Sequence, residues 1–237
     1  MSENTIQNIP IANKLLAALP AKEYQRLLPR LEPFDLNFGE TLYQPNHIIN
    51  DVYFPDSGVV SLLSTAEGRT MMGFGIIGNE GLLGLPVFLG ASKSRNLAVV
   101  HGAGRALKMK SVDLLNICEL GGILPRLLQR YLHLFITQLS QILICTRFHR
   151  IESQFVCRLL MTQDRMETNE LPITHAVLSN LLGVRREAVT KTAGNLQQQQ
   201  LITYNRGNLT ILNRAGLEAA ACQCYGIIKK EYDNYLR

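Results

Sequence analysis

No apolar run in the sequence approaches the roughly 20 residues that a helix needs to span a bilayer, although 46% of its 237 residues are hydrophobic. A membrane helix is therefore excluded, and the apolar residues must be spread along elements that fold around an interior of their own. The opening stretch, Met1 to Pro10, has neither a basic start nor an apolar segment, so no secretory leader is expected and the cytoplasm is the expected location. Histidine is scarce. His47 and His101 stand far apart with no paired-histidine motif beside either, so the clustered ligands of a metal enzyme built on a β barrel are missing and no catalytic activity is expected. The five cysteines (Cys118, Cys145, Cys157, Cys222 and Cys224) are odd in number and scattered, which excludes a disulfide framework and points to reduced packing residues. Cys222 and Cys224 are close in sequence. No second pair or nearby histidine completes a four-ligand zinc site, and each is expected on a helix, so neither metal nor cofactor is expected.

What is present is unevenly distributed. The net charge is +5, and from Arg147 onward twelve basic residues face eight acidic ones, so most of the excess lies in the last third. A basic segment of this kind suits a polyanionic partner.

The pattern changes twice along the chain. Ile11 to Leu31 carries leucines at helical spacing broken at Pro20 and Pro29, predicting short helices. From Phe34 to Lys110, short alternating stretches such as Asp51–Phe54 and Val59–Leu63 are separated by turn signals at Pro45-Asn46, Asp56-Ser57-Gly58 and Glu67-Gly68. That alternation predicts an antiparallel β roll. Helical periodicity returns over Ile123 to Phe148, with Pro125 in the first turn. Two apolar lines run along this segment: Leu124, Leu128, Tyr131, Phe135 and Ile142, and beside them Leu132, Ile136, Leu139 and Leu143. One line is expected to pack on the roll and the other on the same helix of a second subunit, with the first line taken as the dimer interface. The expected class is α+β, divided into a β-roll sensor domain with N-terminal helices (1–122), a dimerisation helix (123–149) and a C-terminal domain (150–237).

In the last part, a helix over Ile151–Met161 and a polar stretch to Leu171 precede a dense set of local signals. Thr174 can cap a helix over His175–Leu182, Gly183 suits the left-handed turn that ends it, and a second helix starts near Arg185 or Arg186. On that second helix Val189, Ala193 and Leu196 fall on one side, while Arg186, Glu187, Thr190 and Lys191 fall on the other. The pair has the form of a helix-turn-helix. Near the start of such a second helix, arginine or lysine can donate to guanine and glutamate can accept from cytosine, so Arg186, Glu187 and Lys191 are the expected base readers. Thr174, Arg185 and Thr190 suit phosphate oxygens. Two strands, Leu201–Tyr204 and Leu209–Leu212, joined by Asn205-Arg206-Gly207-Asn208, make a wing whose Arg206 is expected at the sugar-phosphate backbone.

The run from Ile173-Thr174 through Leu182-Gly183-Val184-Arg185-Arg186-Glu187-Ala188-Val189-Thr190-Lys191 to Leu201-Ile202 resembles the DNA-binding domain of the Crp/Fnr superfamily. Upstream, Tyr53–Leu62 with Gly58, the glycine-rich stretch Gly78–Gly90, the long helix and a boundary near His149 resemble that family's cupin-like jelly-roll sensor and dimerisation helix. The resemblance implies a homodimeric transcription regulator in which Arg186, Glu187 and Lys191 read each half of a palindromic site in double-stranded DNA. RNA polymerase is a further partner if the protein activates. It also implies an effector pocket, and there the sequence departs from the cyclic-nucleotide pattern. Gly84 and Arg95 keep the family spacing, but Leu85 replaces the ribose-binding glutamate and Asn96 the hydroxyl residue. An effector held by Gly84, Leu85, Arg95 and Asn96 is thus of unspecified identity, and a cyclic-nucleotide response through Arg95 is the alternative. An iron-sulfur sensor has no cysteine before Cys118 to hold it.

Overall fold

The computed structural model describes residues 11–66 and 70–236. The leader Met1–Pro10 and the turn at Glu67-Gly68 lie outside the described residues. In chain order the elements are α1 (Lys14–Ala17), α2 (Ala21–Leu27), a 3-10 turn (Leu28–Arg30), β1 (Glu32–Leu36), β2 (Thr41–Tyr43), β3 (Asp51–Pro55), β4 (Val59–Ala66), β5 (Thr70–Ile77), α3 (Leu85–Phe88), β6 (Leu97–Gly102), β7 (Gly104–Lys110), α4 (Ser111–Glu119), α5 (Ile123–Phe148), α6 (Ile151–Met166), β8 (Glu170–Leu171), α7 (His175–Leu182), α8 (Arg186–Gln198), β9 (Ile202–Asn205), β10 (Asn208–Ile211), α9 (Arg214–Ala220) and α10 (Gln223–Asn234).

The N-terminal half is an antiparallel roll of two sheets, ordered β1-β7-β3 and β2-β6-β4-β5. The alternation read from the sequence is the pleat of these strands. The leading helices are fastened to the roll by Asn13, which is fully buried. Its carbonyl accepts from Leu16 N–H to cap α1, and its amide donates to the carbonyls of Pro55 and Gly81 at 2.8 and 2.9 Å. Every polar group of that buried side chain finds a partner, which offsets its desolvation.

α5 covers the segment expected of it. Its start follows Gly122, which offers no capping side chain, and Pro125 supplies no N–H. The Glu23 carboxylate of α2 takes over that function, accepting from Ile123 N–H at 2.9 and 3.0 Å and from Leu124 N–H at 3.3 Å. A carboxylate is favoured there by the free amides and the positive end of the helix dipole.

The expected assignment of the two apolar lines on α5 is corrected. Leu124, Leu128, Tyr131 and Ile142 are all buried within the chain and belong to its interior clusters, and Phe135 is partly buried against the first of them. They are core residues and leave no surface for a second subunit. The other line is the open one, with Ile136 at 50% and Leu143 at 68% exposure, Leu132 and Leu139 half-buried, and Phe148 at 75% exposure near the end. Helical period alone does not distinguish two such lines; the curvature of the roll, into which Leu127 and Leu134 also point, selects the first.

Three boundaries also shift. α6 runs to Met166, five residues beyond expectation, and ends at Glu167 in the left-handed region (φ 53°). The polar stretch after it contains β8, which pairs with β10 to make the wing a three-stranded sheet. The hairpin itself is tighter than expected: Asn205 pairs with Asn208, leaving only Arg206 and Gly207 in the turn, both at positive φ (47° and 89°). Two such residues give the type I′ turn that matches strand twist.

The interior falls into two clusters that do not respect the division of the chain. Tyr232 and Tyr235 of α10 reach back into the cluster of the roll, while Val59 and Leu63 of β4 and Ile76 of β5 belong to the cluster built around α6. At the seam lies a buried ion pair. Arg165 Nε donates to Glu80 Oε1 at 2.9 Å, with both side chains almost wholly inaccessible. Arg165 also donates to Met161 O and Gln138 Oε1, and Glu80 Oε2 accepts from Gly78 N–H. The Tyr235 hydroxyl donates to the Glu80 carbonyl and Tyr232 donates to Asn79 Oδ1 at 2.9 Å. The Arg165 side chain passes so close over Gly78 that a β-carbon there would meet it at 2.7 Å. A second arginine of α6, Arg158, is also buried and donates to Gly73 O at 2.9 Å.

Removing one partner of such a pair strands the other charge in a dry environment. Glu80→Ala is expected to lower stability by about 3–5 kcal/mol, read as a shift of the denaturant midpoint at unchanged slope. A loss below about 1 kcal/mol, the scale of a solvent-exposed pair, would show that the seam admits water.

Candidate nucleic-acid interface

α7 is capped as its sequence implies: the Thr174 hydroxyl oxygen accepts from Val177 N–H at 3.2 Å. Its end is set by Gly183 at φ 65°, a conformation that would strain any residue with a β-carbon. Leu178, Leu181 and Leu182 point inward against Val189, Ala193 and Leu196 of α8, the apolar side expected of each helix. The short link Gly183-Val184-Arg185 holds the two helices together; the Ser179 hydroxyl donates to Val184 O at 2.5 Å across it.

With that side of α8 committed to the interior, the other side is open. Arg185, Arg186, Glu187, Thr190 and Lys191 are all exposed, and the roll does not cover them. The arrangement behind them is tied down by residues for which the sequence carried no signal. His175 stacks on Tyr204 with ring centroids 4.4 Å apart, and the Tyr204 hydroxyl donates to Ile173 O at 3.2 Å. Thr190 Oγ1 lies 3.0 Å from both Arg186 O and His175 Nδ1. Burial lowers the pKa of His175 below the usual imidazole value, so the ring is neutral near pH 7. These contacts join the start of α7, the first turns of α8 and the wing into one surface. At its edge the wing turn approaches Thr174, where a β-carbon on Gly207 would touch the threonine methyl at 3.3 Å. The structure thus brings Thr174, Thr190 and the Arg206 turn together around the exposed Arg186, Glu187 and Lys191. The hydroxyls of Thr174 and Thr190 are each engaged by the protein itself, as a cap and in a helix contact.

The basic excess of the last third is only partly a surface property. Arg158 and Arg165 are buried. Arg214 bridges Asp164 at 2.7 Å and Glu218 at 2.9 Å and donates to the Tyr225 hydroxyl, joining α9 and α10 to α6. The residues that give the open α8 face and the wing tip their positive charge are Arg185, Arg186, Lys191 and Arg206, all exposed.

The expected effector residues divide. Gly84, Leu85 and Asn96 line a cavity of about 220 Å³ between the roll and α5, alongside Tyr43, Phe74, Tyr131 and Phe135. Arg95 does not join them. Its side chain is exposed and contacts Asn46 Oδ1 at 3.4 Å, while Ser94, buried next to it, donates from its hydroxyl to Asn96 O at 2.7 Å. The cavity is walled mainly by apolar groups, so an anion placed there would meet no guanidinium among the described residues.

The closely spaced Cys222 and Cys224 also stand differently from expectation. Cys222 is an extended residue preceding α10 and only Cys224 lies within that helix. A histidine and a further cysteine, His149 and Cys145, do lie beside them. Their separation along the chain hid the grouping. No helix among the described residues is long and apolar enough to cross a membrane.

Residues 154–220 match the family model of the Crp-like helix-turn-helix domain. No match is found among curated proteins. Among solved structures, a putative transcriptional regulator of the Crp/Fnr family from Eubacterium rectale is similar at 16% identity and a TM-score of 0.68, over 88% of this chain and 98% of that one. FixK2 from Bradyrhizobium japonicum gives 14% identity and a TM-score of 0.67 over 81% and 98% of the two chains. A Crp/Fnr-family regulator from Thermus thermophilus gives 19% and 0.63 over 80% and 98%. At these identities the likeness is one of fold.

With Arg95 directed outward and Leu85 inside, the roll cavity lacks a counter-charge for a cyclic phosphate. Calorimetric titration with cyclic AMP is expected to give no saturable binding in the micromolar range; saturable binding there would require Arg95 to turn inward.

Proposed function

We propose, from the match of residues 154–220 to the Crp-like helix-turn-helix domain and from a fold similar to that of Crp/Fnr-family regulators, that the chain is a sequence-specific, double-stranded-DNA-binding transcription regulator of that superfamily acting as a homodimer on a palindromic site. The observation that carries this is the exposed front of α8, where Arg186, Glu187 and Lys191 stand free while its back is buried. Entering a major groove, Arg186 and Lys191 would donate to guanine O6 and N7 and Glu187 would accept from cytosine N4. Thr174, Arg185, Thr190 and Arg206, around them, would meet phosphate oxygens and fix register without reading sequence. RNA polymerase is a partner in the activating case.

Reading two half-sites requires two copies. We assign 1–122 to the sensor, 123–149 to the dimerisation helix and 150–237 to DNA binding, and place the dimer seam on the open line of α5: Leu132, Ile136, Leu139 and Leu143. Two α5 helices packed there would present their α8 helices to grooves about 34 Å apart, one helical turn of DNA. The apolar cavity beside that line, with its degenerate cyclic-nucleotide residues, would place an effector within reach of the seam.

In anisotropy titrations on the protein's own upstream DNA, Arg186→Ala and Glu187→Ala are each expected to weaken binding by about 1–3 kcal/mol and to relax preference at one base position. Arg206→Ala is expected to weaken binding to all sequences alike and to reduce the salt slope by about one. Binding left unchanged by both α8 substitutions would remove the assigned roles. In sedimentation experiments, Ile136→Asp with Leu143→Asp is expected to convert a dimer to a monomer; a dimer that survives both changes must be held elsewhere.

A further inference from the structure

Where α5 ends and α10 begins, four soft or nitrogen donors converge from segments more than 70 residues apart. Cys145 lies in the last turn of α5, and His149 follows four residues later as the extended residue that caps the end of that helix. Cys222 and Cys224 flank the start of α10. Cys145 Sγ is 3.5 Å from Cys222 Sγ, and Cys224 Sγ is 3.6 Å from His149 Nδ1. All four donor atoms lie within 4.8 Å of one another, and all three cysteines are free thiols.

The geometry points to a site for a single tetrahedral zinc-like cation, held by Cys145 Sγ, Cys222 Sγ, Cys224 Sγ and His149 Nδ1. Zinc–sulfur bonds of about 2.3 Å and zinc–nitrogen bonds of about 2.0 Å at tetrahedral angles place the donors roughly 3.5–3.8 Å apart, the spacing already seen for two of the pairs. Three thiolates and an imidazole select a borderline or soft ion over magnesium, calcium or manganese, which prefer oxygen. Four protein donors leave no open position, which marks the site as structural. Cys145 and Cys224 are buried while His149 and Cys222 are partly open, so an ion has a path in and is shielded once bound. In the same enclosure, three thiols packed against an imidazole without an ion make only long sulfur contacts.

The position gives the ion a task. His149 is the residue at which α5 gives way to α6, with extended backbone at φ −103° and ψ 156°. An ion bridging it to α10 would lock the joint between the long helix and the DNA-binding part. The proposal rests on the cluster alone and stands whether or not the α8 face binds DNA.

The test uses the full chain, purified under reducing conditions. Elemental analysis is expected to find one zinc per chain after exhaustive dialysis. Stripped of metal and titrated with cobalt(II) without oxygen, the chain is expected to develop the intense visible absorption of tetrahedral thiolate coordination, complete at one equivalent and abolished by zinc. Cys222→Ser and Cys224→Ser should each weaken zinc binding by more than the roughly 10–100-fold typical of losing an outer-shell partner, whereas Cys118→Ser, on α4, should leave it unchanged. A wild-type chain that holds no zinc and gives only the weak spectrum of octahedral cobalt would overturn the site without any variant needing to fold. So would recovery of a Cys145–Cys222 disulfide from rapidly acid-quenched cells in place of bound metal.

Discussion

The arrangement of the molecule depends on one contact, the ion pair between Glu80, near the start of the glycine-rich stretch that follows β5, and Arg165 in α6. Neither charge is tolerable alone where it sits, and the geometry leaves little latitude. Arg165 also donates to Met161 O and Gln138 Oε1, and Glu80 commits its second oxygen to Gly78 N–H. A buried pair of this kind adds little to net stability compared with an apolar replacement, but it penalises small displacements heavily. Displacements of α6 that would open the pair are therefore disfavoured.

That seam explains why the two interior clusters interleave. Tyr232 and Tyr235 cross from the C-terminal end into the first cluster, while Val59, Leu63 and Ile76 cross from the roll into the second. The helix-turn-helix is seated against β5, with Leu181 of α7 over Gly73. The exposed side of α8 nonetheless faces away from the roll, so docking and an open α8 front coexist.

How much of this could be read from the sequence depended on distance along the chain. Thr174, Gly183 and the Val189-Ala193-Leu196 side act within a turn or two of where they stand, so the caps, the turn and the two sides of α8 were legible. The extent of α5 was equally local. Which of its two apolar lines faces outward was not, because both obey the same period and only the roll decides between them. Arg95 matched a spacing while its side chain turned outward, since spacing says nothing about χ angles. The hairpin was placed but drawn two residues too wide, because positive φ at Arg206 is rare for a residue with a side chain and no single-residue signal announces it. The cysteine cluster was invisible for the simplest reason: Cys145 and Cys222 are 77 residues apart, and only the return of α10 to the end of α5 unites them.

The carboxylate of Glu23 has a consequence for the order of assembly. A ribosome releases that residue about a hundred positions ahead of the amides it will hold. The long helix therefore finds the acceptors for its first free amides in a segment made far earlier in the chain, so its starting point is set by a tertiary contact and not by its own leading residues.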